Sequence, residues 1–170
     1  MSYGLAYGLS AFGLAQQLRI SPNEAQDLMD EYFTRFGGVR DYLAGVVAEA
    51  RKRGYTETMF GRRRYLPDLN HDNRQRREMA ERMALNAPIQ GTAADIVKVA
   101  MLNVDRALTE RSFGSRMLLQ VHDELVIEVA PGEAQEVEEL VRSQMGAAAQ
   151  LRVPLDVSVG RGSNWQAAGH

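Results

Sequence analysis

The chain has 170 residues, of which 45% are hydrophobic and 25% charged, with a formal net charge of −2. This composition is typical of a globular domain with a sizeable core and argues against wholesale disorder. The absence of cysteine excludes disulfides and thiolate chemistry, no apolar run is long enough to cross a bilayer, and the first residues lack the features of a signal peptide. We therefore expect a cytoplasmic protein with no membrane partner.

The net charge conceals a basic block in the middle of the chain. Residues 1–50 carry 3 basic and 6 acidic side chains, a net of −3, whereas residues 51–82 carry 10 and 5, a net of +5. Residues 83–170 carry 7 and 11, a net of −4, so the three segments together return −2. Phosphate is the commonest target of such a block, although a solvated arginine-rich helix and loop would carry the same charges.

Two tyrosine–glycine pairs, Tyr3-Gly4 and Tyr7-Gly8, stand four residues apart at the amino terminus. A helix would place both rings on one face, and each glycine would cost that helix roughly 1 kcal/mol relative to alanine. A flat ring beside a bare backbone suits the close approach of a nucleobase or sugar. Simple helix packing, or a frayed start, would explain the same pattern.

Helices are predicted over the next stretch of the chain. Ser21 can cap a helix, Pro22 suits its first position, and Glu24 can close a capping box. The apolar spacing of three and four is loosened or ended at Gly37-Gly38 and then resumes to about Lys52.

Residues 55–60 have the aromatic and β-branched content of a short strand, and residues 61–70 are predicted to form a loop. Within this loop, Arg62, Arg63 and Arg64 precede Tyr65. Three guanidinium groups beside an aromatic ring suit a phosphate backbone, although arginine-rich loops are common.

Residues 73–87 predict a helix that Pro88 interrupts, because proline cannot donate the helical hydrogen bond. A new helix is predicted to begin after Gly91, with Thr92 as its cap, and to run to about Arg111.

Three polar residues in this region, Arg82, Asn86 and Gln90, recur every four positions. Helical geometry would align at least the first two on one face. Arginine can bind phosphate, while asparagine and glutamine can read the acceptors of a DNA minor groove. The alternative is the solvent face of an amphipathic helix, whose buried side would consist of Met79, Met83 and Ala87.

The segment QVHDELVIEV predicts two strands joined at His122-Asp123, two residues that tolerate a tight turn. Asp123 could simply be a turn residue. However, Glu124 follows it at once, and two adjacent carboxylates beside apolar strands are costly unless a cation is present. The tip of a rigid hairpin is a suitable mount for Mg²⁺, which prefers carboxylate oxygens.

A helix over roughly 132–149 and a strand over 155–159 complete the predicted elements. The fold class that follows is α+β: mostly helical, with the helices packed on a small antiparallel sheet.

Taken together, these stretches resemble the carboxy-terminal part of bacterial family A DNA polymerases, the DNA polymerase I family. The segments that carry the resemblance, in the family's order and spacing, are YGLAYG from Tyr3, GYTETMFGRRRYLP from Gly54, RMALNAPIQGTAAD from Arg82 and LQVHDEL from Leu119. Two segments, RRRYLPDLN from Arg62 and VSVGRGSNW from Val157, are most similar to those of actinobacterial members. The resemblance implies fingers-derived helices over 1–52 and a palm-derived part over 53–170, forming one polymerase domain.

The resemblance also implies roles for individual residues. Asp123 would be one of two palm carboxylates that hold catalytic Mg²⁺, with Glu124 supporting it and His122 near the primer terminus. Tyr3 would face the sugar of the incoming nucleotide, where tyrosine is associated with acceptance of dideoxynucleotides, and Tyr7 would lie by the templating base pair. The residues that would contact primer–template DNA are Arg62, Arg63, Arg64, Arg82, Asn86 and Gln90. The expected partners are primer–template DNA and dNTPs, and the expected location is the cytoplasm, at the nucleoid.

The 170 residues depart from the family in two respects. The second metal-binding aspartate belongs to a motif resembling D-Y-S-x-I-E-L-R, and the chain contains only Asp41-Tyr42, followed by Leu43 inside a predicted helix. The family's triphosphate-binding arginine and lysine would precede Met1. We therefore expect the chain alone to be inactive and to need the preceding part of a polymerase. The alternatives are a truncated, non-catalytic remnant that only binds duplex DNA, and an acidic helical protein with no nucleic-acid role.

Overall fold

A computed structural model of the chain describes residues 10–169. The chain divides into two compact units, residues 1–92 and residues 93–170. The α+β class is confirmed, because the described residues are mostly helical and contain two small antiparallel sheets. None of the described helices is both long enough and apolar enough to span a membrane.

The described part of the first unit starts with the helices α1 (Ala11–Leu18), α2 (Pro22–Arg35) and α3 (Gly37–Arg53). The predicted capping box at the start of α2 is confirmed. Ser21 Oγ accepts from the backbone N–H of Glu24 at 3.2 Å, and the Glu24 carboxylate accepts from the Ser21 N–H at 2.8 Å. The hydrogen bond from the Ser21 hydroxyl lowers the pKa of Glu24.

A short hairpin follows α3 and consists of β1 (Tyr55–Glu57) and β2 (Arg63–Tyr65). Gly54 ends α3 with a φ of 77°, which suits glycine, and turns the chain into β1. The strands are antiparallel, with Thr56 opposite Arg64. The predicted loop over 61–70 is therefore wrong, since this segment pairs with β1 and then forms a 3₁₀ helix over Pro67–Asn70. Pairing with β1 makes this segment a strand, and the local sequence does not reveal that pairing.

The longest element, α4 (Arg74–Glu110), overturns the predicted break at Pro88. A proline inside a helix costs about 3 kcal/mol, but packing on both sides offsets that cost. Before the proline, Ala80 and Ala84 are buried in a core with Ala50, Leu66 and Leu69. After it, Val104 and Leu108 are buried in the core of the second unit.

The two residues predicted to begin a new helix have other uses in the structure. A Cβ at Gly91 would lie 2.6 Å from the Thr58 methyl carbon, so glycine allows α4 to approach the β1–β2 hairpin. The Thr92 hydroxyl does not cap a helix but accepts from the Met59 backbone N–H at 3.0 Å.

The second unit contains the rest of α4, the hairpin β3 (Arg116–Val121) and β4 (Glu124–Glu128), and α5 (Ala134–Gly146). Val137, Leu140 and Val141 of α5 pack with the end of α4, and Leu125 and Ile127 of β4 border this core. The apolar spacing of α5 and the alternation of β4 thus bury their apolar faces together.

The chain ends in an irregular segment and a short helix, α6 (Trp165–Ala168). The strand predicted over 155–159 is wrong. Alternating apolar residues form a strand only beside a free strand edge, and no strand among residues 10–169 pairs with this segment. Instead the Val157 carbonyl accepts a hydrogen bond from the Arg142 guanidinium of α5.

Candidate functional site

The hairpin β3–β4 carries the acidic candidate site at its tip. His122 and Asp123 form the two-residue turn, and both side chains are exposed. His122 has a φ of 51°, in the left-handed region that His, Asn and Asp adopt more readily than most residues. Its carbonyl accepts from Gln120 Nε2 at 2.5 Å, which fixes the turn from the strand side. The predicted turn is confirmed, and it presents Asp123 to solvent.

Glu124 is the first residue of β4 and lies opposite Val121 in the ladder. Its side chain is half-buried, unlike that of Asp123. The carboxylate Oε2 accepts from the indole Nε1–H of Trp165 at 3.3 Å, a contact between residues 41 positions apart. The two adjacent carboxylates therefore differ in surroundings, since one is exposed and the other is held by an aromatic donor.

The base of this hairpin is fastened to the start of α5. The Glu133 carboxylate accepts from the backbone N–H groups of Gly114 and Ser115 at 2.8 and 2.9 Å, and from the Ser115 hydroxyl at 2.5 Å. Ser115 Oγ in turn accepts from the Ala130 N–H at 2.9 Å. The hydrogen bond from the Ser115 hydroxyl, with that from the Gly114 N–H, lowers the pKa of Glu133. This network gives the hairpin a fixed root.

The donor set at the tip fits Mg²⁺ only in part. Mg²⁺ is commonly bound through one or two carboxylates, with water and substrate phosphates completing an octahedron. An exposed Asp123 with a neighbouring Glu124 can supply that share. Among residues 10–169, however, no group of three or more acidic, histidine or cysteine side chains is arranged to hold a metal ion.

The three predicted phosphate-binding arginines lie in the first unit, and two of them are engaged there. Arg62 donates to the Gly91 carbonyl at 3.0 Å. Arg63 donates to the Glu57 carboxylate at 2.9 Å and lies over the Tyr55 ring at 4.7 Å from its centroid. The hydrogen bond to Glu57 raises the pKa of Arg63. Arg64 is exposed, and no side-chain hydrogen bond or ion pair holds it within the described part of the chain.

The unbroken helix α4 aligns Arg82, Asn86 and Gln90, which lie in the first unit. Arg82 and Gln90 are exposed, while Asn86 is half-buried. The amphipathic alternative is right about Ala87, which is buried, but wrong about Met79, which is 54% exposed. The Asn86 Oδ1 atom is buried, and residues 10–169 offer it no donor. An orphan acceptor within a polar stripe is a feature that a bound donor would satisfy.

A cavity of about 100 Å³ joins two of these candidate groups. The three arginines line it together with Gln90 and Thr56. Thr56 is 6% exposed, and its hydroxyl has no hydrogen-bond partner among residues 10–169. Sequence reasoning missed Thr56, because nothing in the sequence distinguishes a buried strand threonine from an exposed one.

Two predicted residues cannot be placed. Tyr3 and Tyr7 lie outside the described residues, so their predicted contacts with a nucleotide stay predictions. Sequence reasoning also missed Trp165 as a site residue. The signal available was its place within the motif VSVGRGSNW as the chain's one tryptophan.

Comparisons with known proteins agree on one family. The pattern of DNA polymerase family A matches residues 1–167. The chain is 68% identical over 170 residues to DNA polymerase I of Mycobacterium tuberculosis, and 49% identical over 168 residues to that of Streptococcus pneumoniae. These alignments include 100% and 99% of this chain but 19% of each relative, so the chain spans about a fifth of their length.

A solved structure is similar over the whole chain. It is the POL domain of Pol1 from M. smegmatis, in complex with DNA primer-template and dNTP. The two share 66% identity and superpose with a TM-score of 0.96, over 100% of this chain and 30% of that one.

Proposed function

The chain belongs to DNA polymerase family A, and we propose that it is the carboxy-terminal part of a DNA-directed DNA polymerase. The observation that carries the proposal is the match of the entire chain, at 66% identity, to a polymerase domain whose structure includes primer-template and dNTP. By position in the family, residues 1–52 are fingers-derived and residues 53–170 palm-derived. The compact units divide elsewhere, after Thr92, so this assignment rests on the resemblance.

The reaction is nucleotidyl transfer to a primer. The 3′-hydroxyl of the primer attacks the α-phosphorus of a dNTP, the bond to the β-phosphate oxygen breaks, and pyrophosphate leaves. When bound, two Mg²⁺ ions supply activation of the hydroxyl and neutralisation of the charge on the phosphates. Asp123 contributes a carboxylate ligand at the hairpin tip, with Glu124 beside it, and His122 lies by the primer terminus.

The remaining residues hold the nucleic acid and the nucleotide. Arg64 and Arg82, both exposed, contact backbone phosphates, and Arg62 and Arg63 hold the β1–β2 hairpin whose strand β2 presents Arg64. Asn86 and Gln90 contact the minor groove, where amide groups can bind base edges without selecting a sequence. Tyr3 faces the sugar of the incoming dNTP, and Tyr7 lies by the templating base pair. The location is the cytoplasm, at the nucleoid, where this substrate is found.

The 170-residue chain does not extend primers by itself. One aspartate supplies too few carboxylate ligands for two metal ions, and Asp41-Tyr42 does not replace the second because it lies within α3. The alternative function is that of a remnant that only binds duplex DNA. It is favoured by one observation, that residues 10–169 form no metal-binding cluster.

A chimera separates the two functions. This chain would replace the matching 30% of the M. smegmatis POL domain, and primer extension would be measured with Mg²⁺ and all four dNTPs. The catalytic proposal expects the chimera to extend primers and the 170-residue chain not to. A folded chimera that binds duplex DNA without extending a primer would favour the binding-only function.

A further inference from the structure

An irregular segment near the end of the chain, with the short helix α6, forms a strap that is held on α5. The strap, defined here as residues 151–168, makes two polar contacts with that helix. The Arg142 guanidinium donates to the Val157 carbonyl, and Arg161 of the strap pairs with Glu138. Glu138 also pairs with Arg142 at 2.9 Å, so one carboxylate joins both arginines. The strap is thus held on α5, and Glu133 at the start of α5 also holds the base of the hairpin β3–β4.

The end of the strap is folded tightly on itself. A Cβ at Gly160 would lie 1.8 Å from the Ala168 carbonyl oxygen, and one at Gly162 would lie 2.4 Å from the Ala167 carbonyl carbon. No side chain fits at either position without moving α6. Asn164 caps α6 by accepting from the Ala167 N–H at 2.9 Å. These close contacts fix the direction of Trp165, the first residue of α6.

Trp165 is the strap's link to the acidic tip. Its indole N–H donates to Glu124 Oε2 at 3.3 Å, although its ring remains 48% exposed. A tryptophan ring left half in solvent contributes little to a core, so burial alone does not account for its placement. Donation to a carboxylate fixes which oxygen of that group faces the donor and which faces away.

We propose that Trp165 is a positioning residue for the candidate active site. The strap holds the indole, and the indole orients the Glu124 carboxylate beside Asp123, so that the acidic tip is preorganised for a divalent cation. This inference rests on the proposed function in one respect, since it takes the tip to be the cation site. Partners that orient a metal-binding carboxylate from behind usually strengthen metal binding.

The contact itself can be measured without metal. The chain has one tryptophan, so a ¹⁵N-labelled sample gives one indole N–H signal. We expect Glu124→Ala to shift that signal and to speed its exchange with water. Glu128→Ala, at the other end of β4 where the carboxylate pairs with Arg116, should leave it in place. Gly162→Ala, which displaces α6 without touching either partner, should shift it as Glu124→Ala does.

The positioning role is measured by the Mn²⁺ affinity of the chimera with the M. smegmatis POL domain, which supplies the preceding part of a polymerase domain, followed by electron paramagnetic resonance. We expect Trp165→Phe, which keeps the ring and removes the donor, to weaken Mn²⁺ binding by about tenfold. Glu124→Gln, made without the change at Trp165, should weaken Mn²⁺ binding at least as much as Trp165→Phe does.

The outcomes separate the inference from the function it rests on. An indole signal that ignores Glu124→Ala, or equal Mn²⁺ affinity in the parent and in Trp165→Phe, overturns the positioning role and leaves the proposed polymerase function standing. Failure of the chimera to bind Mn²⁺ at all overturns both the role and the cation site, even if the indole signal of the 170-residue chain reports the contact.

Discussion

At the scale of single residues, the position of the acidic tip depends more on the hydrogen bonds at the base of the hairpin β3–β4 than on the turn itself. His122 and Asp123 are exposed, and the strands that carry them are only five and six residues long. A two-stranded hairpin of that length is marginal in water unless another element supports it. The support comes from Glu133, whose three hydrogen bonds join the start of β3 to the start of α5.

Glu133 makes a testable contribution to stability with a defined pH dependence. Because its pKa is lowered in the folded chain, its stabilisation is fully present above the unfolded pKa of about 4.3 and is lost as pH falls through the folded value. We expect Glu133→Ala to lower the urea midpoint at pH 7, and the difference from the parent to shrink below about pH 4.

The matched variant is Glu133→Gln, which keeps an acceptor oxygen but cannot ionise. Its midpoint should lie between those of the parent and Glu133→Ala at pH 7. If the difference in urea midpoint between the unsubstituted chain and Glu133→Ala stays constant from pH 7 to pH 3, the role given to the ionised carboxylate is refuted.

The arginines of the β1–β2 hairpin yield a second residue-scale prediction. Arg64 is exposed and makes no side-chain hydrogen bond or ion pair within residues 10–169, whereas Arg62 and Arg63 are held by the unit itself. We expect Arg64→Ala to weaken duplex binding and to reduce the salt slope of log K by about 1, with no loss of stability. Fluorescence anisotropy across a salt series measures this.

The comparison variant for that series is Arg40→Ala, which removes another exposed arginine that lies outside the basic block and pairs with Asp41. It should leave the slope unchanged. Equal slopes for the parent and Arg64→Ala would remove Arg64 from the DNA-binding surface.

At the scale of elements, the sequence predicted the parts whose signals are local. The capping box of Ser21 and Glu24 and the turn at His122-Asp123 are examples, since each depends on residues within four positions of one another. The break at Pro88 and the strand over 155–159 were wrong because each outcome depends on a distant partner. Core packing keeps α4 continuous at Pro88, and residues 155–159 are irregular because no described strand pairs with them.

The candidate site divides in the same way. Motif resemblance and local geometry predicted the exposed Asp123, but the donor that Glu124 meets is 41 residues away. The orphan hydroxyl of Thr56 depends on the burial of that residue, which is 6% exposed, and local sequence does not specify that burial.

Glycine substitutions test the packing of α4 against the β1–β2 hairpin. Gly91→Ala places a methyl group 2.6 Å from the Thr58 methyl carbon, and we expect it to destabilise the chain by about 1–3 kcal/mol. Gly45→Ala, on the exposed face of α3 with nothing within 4 Å, should instead stabilise it by about 0.5–1 kcal/mol. Urea denaturation compares the two. Stabilisation by both changes would show that α4 does not approach the hairpin as closely as described.

At the scale of the whole molecule, the basic block and the acidic tip lie in different compact units. A chain of net charge −2 thus has a local excess of positive charge in one unit and the two adjacent carboxylates in the other, as the proposed binding of DNA would require. The average charge therefore misleads. The chain spans about a fifth of the length of its curated relatives, and the motif expected to supply a second metal-binding aspartate is not found in its 170 residues.

The central claim is that Asp123 is a metal-binding carboxylate of a polymerase active site. The most direct measurement is the single-turnover rate of dNTP incorporation by the chimera with the M. smegmatis POL domain, carrying either Asp123→Asn or Asp156→Asn. Asp156 is an equally exposed aspartate in the strap. We expect Asp123→Asn to lower the rate by at least about a hundredfold while duplex binding is kept, and Asp156→Asn to leave it unchanged. Incorporation by Asp123→Asn at the parent rate would contradict the account.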